Sequence, residues 1–221
     1  MSFQRVHLRK LLQIFYLPKA ARISSLRSDI RMEISKESGG ASGGGDFYVP
    51  FWADVKAHVA DQTNLNEQTQ IRIDSNERRK RLYPQLADGF LTWWNEKRRW
   101  VNEPYEFLED SVKAQYPVPS LNSVVKVENL LSVKIGDNTH RLIYPYFSEE
   151  PTLTKESARI GLWLLGEALP SYQIQDIRIL DVLRGVSFST NDNKLNGNEE
   201  ETFLYRYESI LLEWNKLREE Y

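Results

Sequence analysis

The sequence predicts an α+β protein in which a helical N-terminal half precedes a β-hairpin–helix–strand–helix module. Three patterns carry that expectation. Val125, Val127, Leu131, Val133 and Ile135 alternate with polar residues and lead through a turn into a second apolar run. Residues 160–165 are apolar nearly all round and follow a threonine suited to capping a helix. Phe203, Tyr207, Ile210, Leu211, Trp214 and Leu217 recur at helical spacing.

Residues 1–45 read as a basic tail, a short strand and a Gly-rich linker. The first 28 residues lack acids and are rich in arginine and serine, a composition shared by organellar transit peptides and basic surface tails; the tail is the reading taken. The run 11–17 is too short to span a bilayer and is interrupted by Gln13, and no small-residue cleavage site follows it. Ile30, Met32 and Ile34 alternate with Arg31, Glu33 and Ser35, which predicts a short strand. The Gly/Ala/Ser run 39–45 has neither the Lys-Ser/Thr ending of a phosphate-binding loop nor a dinucleotide-binding spacing, and so reads as a connector.

Residues 46–116 form the expected helical region. Pro50 suits the first turn of a helix, where its missing N–H costs nothing, and Phe51, Val55 and Val59 then make a stripe. From Asn66 to Trp100 the spacing of Leu82, Leu86, Phe90 and Trp93 is helical, with Pro84 ending or kinking the helix. If the helix were continuous, Lys80 and Arg98 would share an orientation about 27 Å apart. Pro104, Pro117 and Pro119 mark residues 104–120 as a connector.

Residues 117–221 form the α+β module, and 46–221 can also be read as one compact domain. Its hairpin turns at Gly136-Asp137-Asn138 and returns from His140 to Phe147. A helix follows from Thr154 to Leu169, then a strand from Ile177 to Leu183 bent by Arg184-Gly185, then the final helix behind Glu199, Glu200 and Glu201.

The chain has 221 residues, 41% hydrophobic and 12% aromatic, which suits a globular fold rather than a disordered one. The net charge of −2 carries no overall nucleic-acid footprint. The charge is unevenly spread, however. Residues 1–36 hold eight basic residues against two acidic, and residues 148–221 hold fourteen acidic against eight basic. Such asymmetry pairs the ends within a fold, pairs subunits, or presents a basic surface to an anion. With no cysteines, zinc fingers, iron–sulfur clusters and thiol nucleophiles are excluded. His7, His58 and His140 lack ligand spacing, so no metal site is assigned. Gly185-Val186-Ser187-Phe188-Ser189 lacks the second glycine of a nucleophile elbow.

Two groups of residues remain as candidates. Asp181 shares a strand face with Ile177, Ile179 and Leu183, and a buried carboxylate there needs a partner, with Arg184, Arg141 and Lys134 nearest in the pattern. Asp54-Val55-Lys56 has the local D-x-K arrangement of some nucleases, but falls on an expected helix. The segment 76–100 carries basic clusters at both ends beside tryptophans, a pattern that contacts phosphates and stacks on bases, or else forms a solvated face beside an aromatic core. Its candidate binding residues are Arg78, Arg79, Lys80, Arg81, Trp94, Arg98 and Arg99. The expectation is a soluble, cytoplasmic, non-catalytic interaction protein for an anionic partner, nucleic acid or acidic protein. The alternative is a metal-dependent enzyme acting on nucleic acid, with Asp181 as its acid. The sequence identifies no cofactor.

Overall fold

The computed structural model describes residues 3–39, 46–98, 100, 102–136 and 139–221. Among these residues the chain forms seven α-helices and eight strands in two mixed sheets, an α+β architecture as expected.

The N-terminal half is helical only in part. It opens with β1 (Arg5–His7), continues through α1 (Leu8–Ile14) and, after Pro18, forms α2 (Lys19–Glu37). The strand expected at residues 30–34 is instead the middle of α2. Leu26 and Ile30, four residues apart, are both fully buried, whereas Met32 is 45% exposed. Four-residue spacing therefore decides the packing, and the alternation of Ile30, Met32 and Ile34 is incidental. The expected basic tail likewise enters the core, since Leu8, Leu11, Leu12 and Ile14 of α1 are fully buried.

Helix α3 (Val49–Val59) has Pro50 in its first turn, as the sequence predicts. Helix α4 (Leu65–Ser75) is capped by the Asn64 side chain, which accepts from the Asn66 and Glu67 backbone N–H groups. The long helix expected over 66–100 breaks at Asn76, whose backbone is extended; a 3₁₀ turn at Glu77–Arg79 follows. Pro84 stands in the first turn of the next helix, α5 (Tyr83–Thr92), which runs on into a π-helical turn at Trp93–Lys97.

Residues 104–120, expected as a connector, contribute β2 (Tyr105–Phe107) and β3 (Ala114–Val118), one at the edge of each sheet. An edge strand tolerates Pro117, which cannot donate to a ladder. The run expected as one strand from Val125 to Ile135 divides into β4 (Ser123–Val127) and β5 (Leu131–Ile135), in different sheets. Asn129 turns the chain between them with a φ of 66°, and its carbonyl accepts from Trp52 Nε1 at 2.6 Å. Strand β5 pairs with β6 (Thr139–Tyr146) as the expected hairpin. Gly136 begins its turn at a φ of 56°, while Asp137 and Asn138 lie outside the described residues.

The remaining elements follow the expected order. Helix α6 (Lys155–Ala168) is capped by Thr154, whose hydroxyl accepts from the Ser157 N–H while Ser157 Oγ accepts in return. Strand β7 (Ile177–Asp181) turns into β8 (Val186–Phe188), and α7 (Glu199–Arg218) closes the chain.

One sheet has the order β1-β4-β3 and the other β2-β5-β6-β7-β8, with β1 parallel to β4 and β6 parallel to β7. The larger sheet separates two cores. Leu142, Tyr144, Ile177 and Ile179 face one core with α1, α6 and α7; Leu131, Val133, Ile143 and Leu180 face the other with α3 and α5. Burial on both faces explains the near-continuous apolar character of β6 and β7. The charge asymmetry is met within the fold: Arg22 pairs with Glu213, Arg27 with Glu220, and Arg218 with Glu33 and Glu37, joining α2 to the C-terminal end of the chain. No helix among the described residues is long and apolar enough to cross a membrane.

Candidate anion-binding cleft

The second core sets the position of the basic-aromatic segment. Gly89 of α5 lies so close to the β7–β8 turn that a Cβ there would stand 2.2 Å from the Val182 carbonyl oxygen. Gly185, at a φ of 56°, meets it reciprocally, since a Cβ on Gly185 would lie 2.5 Å from the Gly89 oxygen. Two glycines thus let backbone rest on backbone. The π-helical turn that follows is carried over β8, where Lys97 Nζ donates to the Gly185 carbonyl at 3.3 Å.

The tryptophans of this segment are part of the core: Trp93 is 2%, Trp94 4% and Trp100 7% exposed. Trp94 stacks on Phe90 and meets Trp100 and Tyr105 edge-on. Its remaining face carries Arg98, whose guanidinium carbon lies 3.8 Å from the Trp94 ring centre, 4.7 Å from Trp100 and 5.1 Å from Tyr105. Burial against these rings pulls the Arg98 pKa down from its ordinary value.

Arg98 borders a cleft of about 590 Å³ between Trp93, Lys97, Trp100 and Glu103 on one side and the larger sheet and residues 191–193 on the other. The sheet supplies Arg141 from β6 and Arg178 from β7. Ile143 pairs with Arg178 in register and Arg141 is two residues before Ile143, so both arginines project from the face that carries the second core. Arg141 Nη1 donates to the Gln175 carbonyl at 3.1 Å and pairs with Asp176 at 3.1 Å; desolvation lowers its pKa as well. Among the described residues, Lys97 and Lys155 complete five basic lining residues, against the acids Glu103 and Asp192. Trp93 Nε1, Arg98 Nε and Nη1 and Arg141 Nε are shielded from solvent, and none has a hydrogen-bond acceptor among the described residues. Among the described residues the cleft lining is therefore more basic than acidic, with Arg141 held by Asp176 and the Gln175 carbonyl.

The candidate residues named from sequence do not form one surface. Arg98 lines the cleft, Trp94 supports it from beneath, and Arg99 lies outside the described residues. Arg78 to Arg81 sit at the α4–α5 junction and line no part of the cleft. There Arg79 donates to the Arg72 carbonyl and Ser75 Oγ and lies 5.4 Å from the centre of the Tyr83 ring. Arg81 makes a two-pronged contact with Glu149, which raises the arginine pKa and lowers that of the carboxyl. Arg78 and Lys80 are exposed.

Asp181 is 1% exposed. Its carboxylate accepts from Arg184 Nη1 at 3.2 Å and from the Leu153 N–H at 3.4 Å, while Arg184 also donates to the carbonyls of Ser148 and Glu149. Burial raises the Asp181 pKa, with Arg184 opposing. Asp54, on α3, receives both prongs of Arg72 at 2.8 Å. His140 Nε2 lies 2.5 Å from Ser132 Oγ, but Ser132 is 2% exposed and the pair lines no described cavity. Among the described residues, no three His, Asp or Glu side chains converge as metal ligands.

Trp93, Arg141, Lys155 and Arg178 join the site without having been named as ligand-binding residues from sequence. The available signal was an arginine beside apolar strand residues, Arg141 before Leu142 and Ile143 and Arg178 between Ile177 and Ile179. Compared with known proteins, the chain matches no family model and no curated sequence.

Proposed function

We propose that the protein is a non-catalytic interaction protein that binds an anionic partner, nucleic acid or acidic protein, through the C-terminal end of segment 78–100 and the cleft beside it. The observation that carries this reading is Arg98. Its guanidinium is supported by three aromatic rings at the edge of a cleft that, among the described residues, has five basic lining residues and two acidic ones. Holding a cation there costs solvation, and an incoming anion compensates that cost.

The alternative, a metal-dependent enzyme acting on nucleic acid with Asp181 as its acid, has less support. Arg184 and the Leu153 N–H already occupy that carboxylate.

Fluorescence anisotropy tests the proposal with labelled single- and double-stranded DNA and RNA and an acidic peptide, each at two salt concentrations. Salt-sensitive binding is expected, and the double variant Lys97→Ala/Arg98→Ala should weaken it about tenfold or more and flatten its salt dependence. The exposed pair Arg78→Ala/Lys80→Ala should have less effect. Binding unchanged by removal of Lys97 and Arg98 would refute the assignment to the cleft.

A further inference from the structure

The buried stripe of α7 takes up Phe203, Tyr207, Ile210, Trp214 and Leu217 but leaves Tyr205 and Leu212 outside it. Those two are 71% and 65% exposed, the most exposed of the large apolar side chains among the described residues. Single exposed apolar residues are ordinary at a protein surface. Here, however, the two are seven residues apart on one helix, and so stand two turns apart on the same outer face. Glu201, Glu208, Ser209 and Lys216 are exposed as well, and at about 100° per residue they fall in the same stripe, opposite the buried one. The flank of α7 toward α2 is already engaged, with Arg22 on Glu213 and Arg218 on Glu33 and Glu37. Glu201 and Lys216 have no ion pair with any described residue.

We infer that this face is the interface of a homodimer, in which α7 packs antiparallel on α7 of a second copy. The six exposed residues complement themselves about a two-fold axis between Glu208 and Ser209. In that register Tyr205 meets the partner's Leu212, and Leu212 meets the partner's Tyr205. Glu201 meets the partner's Lys216, Lys216 meets the partner's Glu201, and Glu208 lies beside the partner's Ser209. Every contact occurs twice, as an isologous interface requires. A parallel arrangement would instead set Glu201 on Glu201 and Lys216 on Lys216, and like charges repel. The order of charged and apolar residues along the helix thus selects a second copy in one orientation. One pair of helices buries less surface than the about 1,600 Å² of a standard stable interface, so the dimer is a weak one, with a Kd of about 10–100 µM. The face shares no residue with the anion-binding cleft, and the inference goes beyond the reading above without resting on it.

Sedimentation-velocity centrifugation of the full chain at low salt, from about 1 to about 500 µM and without nucleic acid, tests this. A reversible monomer–dimer equilibrium is expected. Tyr205→Ala/Leu212→Ala should weaken it about thirtyfold or more, because each apolar contact is lost twice. Lys216→Glu and Glu201→Lys each replace two opposite-charge pairs with two like-charge pairs, and each should weaken self-association about tenfold. Mixed together, these two single variants regain both opposite-charge pairs and should form a mixed dimer tighter than either forms alone. All four positions are exposed, so the circular dichroism of each variant should match that of the wild type. A wild-type protein that stays monomeric throughout the range overturns the inference and leaves this face to a different partner. A dimer that survives Tyr205→Ala/Leu212→Ala also overturns it, because the contact then lies elsewhere. Loss of the dimer in that variant without recovery on mixing the charge variants overturns the antiparallel register.

Discussion

Burying Asp181 takes a carboxylate out of water, and its surroundings restore part of that loss. Arg184 bridges Asp181 to the carbonyls of Ser148 and Glu149, and the Leu153 N–H completes the arrangement, so one side chain ties the end of β7 to the loop leading to α6. Replacing Asp181 with alanine leaves the Leu153 N–H and Arg184 short of an acceptor, and should lower stability by about 2 kcal/mol in equilibrium urea unfolding. Asp181→Asn retains an acceptor and should cost less. The pH dependence has a definite sign. The folded-state pKa is raised, so between the unfolded and folded values the native state binds the extra proton, and this group's contribution to stability falls as pH rises through that interval. The stability difference between wild type and Asp181→Asn should therefore shift toward wild type as pH falls from neutral into that interval. The need for a partner was legible at this position because alternation put Asp181 on an apolar strand face. That Arg184 provides it, rather than Arg141 or Lys134, follows from the turn after β7, which folds Arg184 back over residues 148–149.

Helix α5 illustrates how an element can be predicted while its seat is not. The spacing of Leu82, Leu86 and Phe90 anticipates a buried helical face, and all three are buried. Nothing local reveals that the backbone at Gly89 must touch the turn at 182–185, ninety or so residues later in the chain. Gly89→Ala should therefore lower stability by about 3 kcal/mol, since the inserted methyl meets carbonyl oxygens and backbone rather than a flexible side chain. Thermal unfolding of the variant checks this. Because the same contact carries the π-helical turn to the cleft, anion binding should weaken in any Gly89→Ala protein that remains folded. The broken helix at 76–82 and the divided strand at 128–130 were hidden for a related reason. The alternation runs on through the break at 128–130, while residues 74–81 are all polar and carry no apolar spacing to mark an end; the deciding features are single residues, extended Asn76 and left-handed Asn129.

At the scale of the whole molecule, residues 3–37 join the C-terminal module in one core. Phe3 packs on Trp214 with ring centres 4.7 Å apart, its carbonyl accepts from Tyr207 Oη at 2.5 Å, and β1 pairs in parallel with β4. Deleting residues 1–17 removes that strand and the buried face of α1, and should abolish cooperative unfolding and the near-ultraviolet circular dichroism of the packed aromatics; a solvated tail could be removed with neither change. The ion pairs between α2 and the end of the chain are partly exposed and contribute less than this burial does. By itself the sequence determined the α+β class, the β5–β6 hairpin, the helices at 155–168 and 199–218 and the lack of thiol chemistry, because each depends on local periodicity, capping or composition. Tertiary structure decided that β1 joins a sheet, that the three indoles of segment 93–100 lie in a core, and that Arg98 stands beside Arg141 and Arg178. Periodicity encodes which face of an element avoids water, but the partner of that face is set by long-range pairing and close packing, and the cleft exists only where those distant elements meet.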